Sequence, residues 1–111
     1  MNHLESRFQA DVVKYLKSKN LTFFSVQNEA GRSALHTARM KAMGLRNGVS
    51  DLVVLFKGQV LFLELKTEIG KQSQSQRVFE SEVKNLGFDY LVCRNMEEIE
   101  KCILFYIDEC K

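Results

Sequence analysis

The sequence predicts an α/β fold in which helices cover a central mixed β-sheet. Apolar residues recur at helical spacing in some segments, while shorter apolar runs rich in β-branched and aromatic residues have the length of strands. The two kinds of segment alternate along the chain in the predicted order α-β-α-β-β-α-β-α. Because residues 1–111 contain no proline, no repeat and no stretch that resembles a linker, we expect them to form a single domain.

The first third of the chain predicts a helix, a strand and a second helix. Apolar residues at helical spacing predict a helix over about Leu4–Lys19, and Leu21–Val26 has the composition of a strand. Ser33 can cap a second helix that ends at Gly44, where glycine can adopt the backbone conformation that closes a helix.

A β-hairpin is predicted in the middle of the chain. Leu52–Phe56 and Gln59–Leu65 are apolar strands separated only by Lys57 and Gly58, which can form a two-residue turn. This turn fixes the register, so the numbers of paired residues sum to about 115 and Asp51 lies opposite Glu64.

The last third predicts a helix, a strand and a final helix. Helical spacing returns around Val78–Leu86, and Gly87 follows where a helix commonly ends. Tyr90–Cys93 is a last strand, and Asn95 with Glu98 has the pattern of a capping box that opens the final helix.

Composition excludes several classes of protein. Three cysteines without a CxxC pair argue against a disulfide framework and a cysteine zinc site, and Cys93 is expected to pack as a small hydrophobic residue. No apolar run approaches the roughly 18 residues that cross a membrane, and the N-terminus lacks the apolar segment of a signal peptide. We therefore expect a soluble, cytoplasmic protein. Neither GxGxxG nor a P-loop is present.

Positive charge is concentrated in residues 30–50, before the predicted hairpin. No acidic residue occurs between Ala30 and Ser50, although the net charge of the chain is only +2. This stretch could face nucleic-acid phosphates or could be an ordinary solvated helix face. The candidates for phosphate contacts are Arg32, Arg39, Lys41 and Arg46.

Two acidic residues and a lysine are expected at the open end of the hairpin. Glu64 and Lys66 share a strand face with apolar Phe62, where an unpaired carboxylate is costly, and Asp51 lies opposite Glu64. The pair Glu64–Lys66 could be a salt bridge at a strand end, and Asp51 could be a turn residue. A hard divalent cation between the two carboxylates would relieve their repulsion, and Mg²⁺ prefers such oxygen ligands.

These residues carry a family resemblance. Gly48-Val49-Ser50-Asp51 followed by Glu64-Leu65-Lys66 resembles the PD-(D/E)xK nuclease signature. Together with Glu5 and Gln76, the set is similar to the VRR-NUC (virus-type replication-repair nuclease) family, in particular its compact stand-alone members from phages and bacteria. The resemblance extends from Glu5 to about Met96, with Ser50 where the family usually has proline. It implies a restriction-endonuclease-like core.

The resemblance also implies roles for individual residues. Asp51, Glu64 and the main-chain carbonyl of Leu65 would bind Mg²⁺, for which Mn²⁺ can substitute, and Lys66 would act beside the attacking water. Glu5 would support the metal site or a second ion, although it could be an ordinary acid in the first turn of a helix. Gln76 would belong to the site, to a capping box with Ser73, or to both.

The expected activity is metal-dependent hydrolysis of DNA phosphodiester bonds. By resemblance, the substrate would be branched or Holliday-junction-like DNA and the enzyme a homodimer, whose two-fold symmetry suits a symmetric junction. The alternative is a non-catalytic DNA-binding or assembly module that keeps the nuclease fold.

Overall fold

The computed structural model describes residues 3–26 and 33–111. Over these residues the element order is the predicted one. The helices are α1 (His3–Ser18), α2 (Ala34–Ala42), α3 (Gln74–Asn85) and α4 (Met96–Glu109). The strands are β1 (Thr22–Ser25), β2 (Leu52–Phe56), β3 (Gln59–Leu65) and β4 (Asp89–Cys93). Arg32, a candidate for phosphate contacts, lies outside the described residues.

The four strands form one mixed sheet in the order β1-β2-β3-β4. The β1–β2 and β2–β3 pairs are antiparallel, while β4 runs parallel to β3 and is reached through α3. In the hairpin the pairs run from Leu52 with Leu63 to Phe56 with Gln59, so the register predicted from the two-residue turn is confirmed. Gly58 in that turn has a φ of +76°, which favours glycine.

The two faces of the sheet are covered differently. One face forms the main core with α1 and α4, and Cys93 packs into it as expected. On the other face, Phe62 of β3 makes edge-to-face contacts with Phe79 of α3 and with Phe88, at centroid distances of 5.4 and 6.3 Å. The residues fully buried in the main core are Val12, Leu16, Leu52, Val54, Leu61, Leu63, Ile99 and Ile103.

Side chains at the helix starts explain where α2 and α4 begin. The hydroxyl of Ser33 accepts a hydrogen bond from the N–H of His36 at 3.1 Å, which confirms the predicted cap of α2. The Asn95 side chain accepts from the N–H of Glu98 at 2.9 Å. The Glu98 carboxylate, however, accepts from the N–H of Arg94 rather than that of Asn95. The expected capping box at α4 is therefore only half formed.

None of the helices in the described part of the chain combines the length and the apolar character that crossing a bilayer requires.

Candidate active site

Asp51 joins three strands at the open end of the β2–β3 hairpin. Its main-chain carbonyl accepts a hydrogen bond from the N–H of Val26, after β1, at 2.9 Å. Its carboxylate oxygen Oδ2 accepts from the N–H of Leu65 on β3 at 2.7 Å. Because the N–H and C=O of a strand residue point to the same side, the Leu65 carbonyl also faces the Asp51 side of β3. Asp51 is thus held beside the carbonyl that the resemblance implies as a ligand.

Gly48 and Ser50 shape the chain that leads into Asp51. Gly48 has a φ of +83°, and a Cβ at this position would lie 2.5 Å from the backbone carbonyl carbon of Ser75 in the first turn of α3. Only glycine therefore allows the loop to pack this closely. Ser50 is fully buried, and its hydroxyl donates to the carbonyl of Leu52 at 3.0 Å. Ser50, at the position where the VRR-NUC family usually has proline, therefore has a hydrogen-bond acceptor for its buried hydroxyl.

Glu64 is a fully buried carboxylate that lies close to the end of β3. Its oxygen Oε1 accepts hydrogen bonds from the Tyr90 hydroxyl and, at 2.9 Å, from Nε2 of Gln72. Its other oxygen, Oε2, has no hydrogen-bond donor. The ammonium of Lys66 lies 3.7 Å from Oε2, too far for a hydrogen bond, so the two interact only through their charges.

The electrostatic environment of Asp51 favours a cation. Burial raises the pKa of the Asp51 carboxyl, and the hydrogen bond from Leu65 opposes this rise. The neighbouring carboxylate of Glu64 raises the same pKa, that of Glu5 acts in the same direction, and the Lys66 ammonium lowers it. A further positive charge would stabilise the ionised form of Asp51.

Glu5 belongs to this environment, because its charge acts on Asp51 from α1. One turn further along α1, the side-chain oxygen of Gln9 is buried and has no hydrogen-bond donor. Among the described residues, this oxygen and Glu64 Oε2 are the only buried side-chain nitrogen or oxygen atoms without a hydrogen-bond partner. Buried atoms of this kind are rare in proteins and call for a partner such as a water or an ion.

Gln76 forms the predicted capping box. Its side-chain oxygen accepts from the N–H of Ser73 at 2.8 Å, and its own N–H donates to the Ser73 hydroxyl at 3.2 Å. In the described structure this glutamine therefore holds the start of α3. The glutamine that reaches Glu64 is Gln72, four residues earlier.

Sequence reasoning missed the two residues that hold Glu64. Tyr90 was predicted only as a strand residue, although a tyrosine in a buried strand needs a partner for its hydroxyl. Its parallel register places it opposite Phe62, on the face that Glu64 shares. Gln72 gave no usable signal, because it lies in a polar loop whose path the sequence does not fix.

The basic residues differ in their surroundings. Arg39 and Lys41 are exposed on α2, a helix with no buried residue. Arg46 instead pairs with Glu82 of α3 at 2.7 Å and lies over the Phe79 ring, 5.2 Å from its centroid. Its charge is thus already partly offset within the protein.

A divalent ion fits the oxygen atoms at this end of the hairpin. The part of the chain that the structure describes holds no group of three or more His, Cys, Asp or Glu side chains suited to one ion. Two carboxylates, a main-chain carbonyl and several waters are nevertheless a common set for Mg²⁺, which retains much of its hydration. The buried Glu64 Oε2, with no donor, is the atom that most clearly fits a cation.

Comparison with known proteins identifies the fold. No protein-family model matches the chain, and no curated protein matches it significantly. One solved structure, described as a VRR_NUC domain, is 22% identical with a TM-score of 0.66, covering 92% of this chain and 96% of its own. A second, described as a VRR_NUC domain protein, is 19% identical with a TM-score of 0.70, covering 94% and 88%. This chain therefore has the restriction-endonuclease-like fold of VRR_NUC domains, as its sequence motifs predicted.

Proposed function

We propose that this protein is a nuclease that hydrolyses DNA phosphodiester bonds with the help of Mg²⁺ or Mn²⁺. The observation that carries the proposal is Glu64, a fully buried carboxylate with one oxygen that has no donor, which lies 3.7 Å from the Lys66 ammonium and acts electrostatically on Asp51. A buried carboxylate oxygen without a hydrogen-bond donor is costly, so its presence needs a reason beyond packing. Binding a cation for catalysis is such a reason.

The proposed site divides its work among four residues. Asp51 and Glu64 would hold the ion through their carboxylates, together with the main-chain carbonyl of Leu65. A divalent ion bound there would supply charge neutralisation at the scissile phosphate and activation of water. The Lys66 side chain is only 14% exposed, so its ammonium is held near Glu64 rather than extended into solvent. From there it donates hydrogen bonds to the attacking water and stabilises the negative charge that develops on phosphorus oxygens.

Glu5 and Gln76 are proposed helpers with different kinds of support. Glu5 acts electrostatically on Asp51 and would strengthen the negative potential that attracts an ion. Gln76 supports the site through its capping box, since the first turn of α3 that it stabilises is the surface on which Gly48 packs.

The proposed substrate is DNA with a branched or otherwise structured region. Arg39 and Lys41, exposed on α2, would contact backbone phosphates, and such contacts give affinity without reading bases. Arg32 and Arg46 are proposed for the same kind of contact, with the charge of Arg46 reduced by Glu82. A homodimer would bring two sites to a symmetric junction. The mass of the protein in solution, measured by light scattering, tests that assembly.

Cleavage of labelled DNA tests the function. Duplex, flap and four-way-junction DNA are incubated with the protein in Mg²⁺ and in EDTA, together with Asp51→Asn and Lys66→Met. We expect cleavage only with the ion and a loss of cleavage in both variants. Lys57→Met, in the exposed hairpin turn, is the matched lysine control and should cut as well as the wild type.

The proposal fails if none of the substrates is cut, or if Asp51→Asn and Lys66→Met cut at the wild-type rate. Salt-sensitive DNA binding without any cleavage would instead identify a non-catalytic DNA-binding module with the nuclease fold.

A further inference from the structure

Two residues outside the nuclease motif control one oxygen of Glu64. The oxygen Oε1 accepts from the Tyr90 hydroxyl on β4 and from the Gln72 amide in the loop before α3. A carboxylate oxygen has about two lone-pair sites, so two donors occupy it fully. Oε2 remains without a donor and buried. The carboxylate therefore has one oxygen that is fixed and one that can serve a ligand.

We infer that Tyr90 and Gln72 are positioning residues that fix Glu64 through Oε1, so that it offers only Oε2 to the divalent ion. This inference rests on the proposed function and names how its site is prepared. Neither residue is proposed to touch the ion or the DNA. Both act through Glu64 by preventing rotation of its carboxylate, which is otherwise loosely restrained about its terminal torsion.

Gln72 is itself held in place from three directions. Its Nε2 atom donates one hydrogen bond to Glu64 and a second, also of 2.9 Å, to Oε1 of Glu80 on α3. Glu80 is in turn bound by Lys84 at 2.6 Å. The main-chain carbonyl of Gln72 accepts from the Arg77 guanidinium at 2.9 Å. These contacts tie the glutamine to α3, so its amide is a fixed donor rather than a loop side chain that meets Glu64 by chance.

Tyr90 is fixed by packing. Its side chain is almost fully buried, and its ring lies against Phe79 at a centroid distance of 6.0 Å. A tyrosine hydroxyl is protonated at neutral pH, so the Tyr90 hydroxyl is the donor in its hydrogen bond with Glu64.

The protein contains a matched pair of residues for a control. Asp89 Oδ2 accepts from Nε2 of Gln59 at 2.9 Å and from the Tyr106 hydroxyl at 2.5 Å. A carboxylate held by one glutamine and one tyrosine thus occurs twice, once at the proposed site and once near the hairpin turn. Changes at Gln59 and Tyr106 remove the same chemical groups away from Glu64.

Manganese affinity separates positioning from general stability. The variants Tyr90→Phe and Gln72→Met, and the controls Tyr106→Phe and Gln59→Met, are titrated with Mn²⁺ while electron paramagnetic resonance records the unbound ion. We expect the first two to bind Mn²⁺ about 10 to 100 times more weakly than the wild type, the usual effect of removing a partner that orients a ligand. The controls should stay within about twofold, because Asp89 is not a ligand in this account.

A second readout uses catalysis in a way that a structural defect would not reproduce. Positioning of an ion ligand predicts that the Mn²⁺ concentration for half-maximal cleavage rises in Tyr90→Phe and Gln72→Met, and that excess Mn²⁺ restores most of the rate. Tyr90→Phe keeps the ring against Phe79, so it decides the question if Gln72→Met does not fold.

The inference is overturned if both site variants bind Mn²⁺ within twofold of the wild type, or if the controls lose as much affinity as they do. If the wild type binds Mn²⁺ and cuts DNA, and both site variants do so equally well, only the positioning role is overturned. A wild-type protein that binds no Mn²⁺ would overturn the proposed function as well.

Discussion

Near each end of β3 lies a carboxylate held by the same two kinds of donor. Near the hairpin turn, Asp89 on the neighbouring β4 accepts from Gln59 and Tyr106. Near the other end, Glu64 accepts from Gln72 and Tyr90. The hydrogen bonds are alike in number and type, so they do not by themselves distinguish a structural carboxylate from a functional one.

The difference lies in the second oxygen of each carboxylate. Glu64 is fully buried and its Oε2 has no donor, whereas half-buried Asp89 has no buried atom in that condition. Glu64 also has Lys66 within 3.7 Å and Asp51 close enough to interact electrostatically. An unsatisfied buried oxygen reduces stability, and proteins tolerate such a cost mainly where function requires it. The comparison therefore supports the proposal that the Glu64 end is the functional one.

Neutralising each carboxylate should give the largest contrast. Glu64→Gln is expected to lower single-turnover cleavage of a labelled four-way junction by about a thousandfold or more, because a lost ion ligand removes roughly 4 kcal/mol of transition-state stabilisation. Asp89→Asn should remain within about threefold of the wild type, since its role is structural. Similar losses in the two variants would remove the distinction between the ends.

Adding a methyl group should lower the free energy of unfolding more at Gly48, before the hairpin, than at Gly58, in the hairpin turn. Gly48→Ala places Cβ against the backbone of Ser75 at a φ of +83°, and we expect a loss of about 3 kcal/mol in unfolding free energy. Gly58→Ala meets no atom within 4 Å and bears only the strain of its φ of +76°, about 1 kcal/mol. Urea unfolding measures both, and equal losses would show that the loop before Asp51 does not depend on its contact with α3.

Without metal, neutralising Glu64 and neutralising Asp89 should change the free energy of unfolding differently. In EDTA, Glu64→Gln should unfold with a free energy equal to the wild type or up to about 1 kcal/mol higher, because a buried charge is removed while an oxygen remains for Tyr90 and Gln72. Asp89→Asn should lose about 1 kcal/mol, because its charge-assisted hydrogen bonds become neutral ones. Urea titration in EDTA gives both values. A large loss in Glu64→Gln would show that the carboxylate serves the fold.

The smallest expected effects concern three basic residues, Arg39 and Lys41 on α2 and Arg46 after it. Removing Arg39 or Lys41 should weaken DNA binding equally for all sequences and reduce the slope of log affinity against log salt by about one each. Arg46→Ala should reduce that slope less, because Glu82 already offsets its charge. Fluorescence anisotropy at several salt concentrations measures the slopes. Unchanged slopes for Arg39 and Lys41 would place the DNA elsewhere.

Much of the fold could be predicted because its signals are local. The two-residue turn at Lys57 and Gly58 fixed the register of the hairpin, and hydroxyl side chains such as Ser33 marked helix starts. The same register brought Asp51 and Glu64 to one end of the sheet. Each of these predictions depended on a few neighbouring residues and on backbone geometry that most sequences share.

The partners of individual side chains could not be predicted in this way. Tyr90 reaches Glu64 across 26 positions of sequence, and Arg46 pairs with Glu82 across the whole β2–β3 hairpin and much of α3. Such contacts depend on the packing of α3 against the sheet, which apolar periodicity does not resolve. At α4, Asn95 and Glu98 fit the capping-box pattern, but the Glu98 carboxylate accepts from the N–H of Arg94 instead of that of Asn95. A pattern therefore predicted the cap but not the full set of hydrogen bonds.

Titration of the wild type, Glu64→Gln and Asp89→Asn with Mn²⁺ is the sharpest test of the proposal that Glu64 Oε2 is an ion ligand. We expect saturable binding by the wild type and by Asp89→Asn, and a loss of that binding in Glu64→Gln. If Glu64→Gln binds Mn²⁺ with wild-type affinity, or if the wild type binds none, Glu64 Oε2 is not an ion ligand.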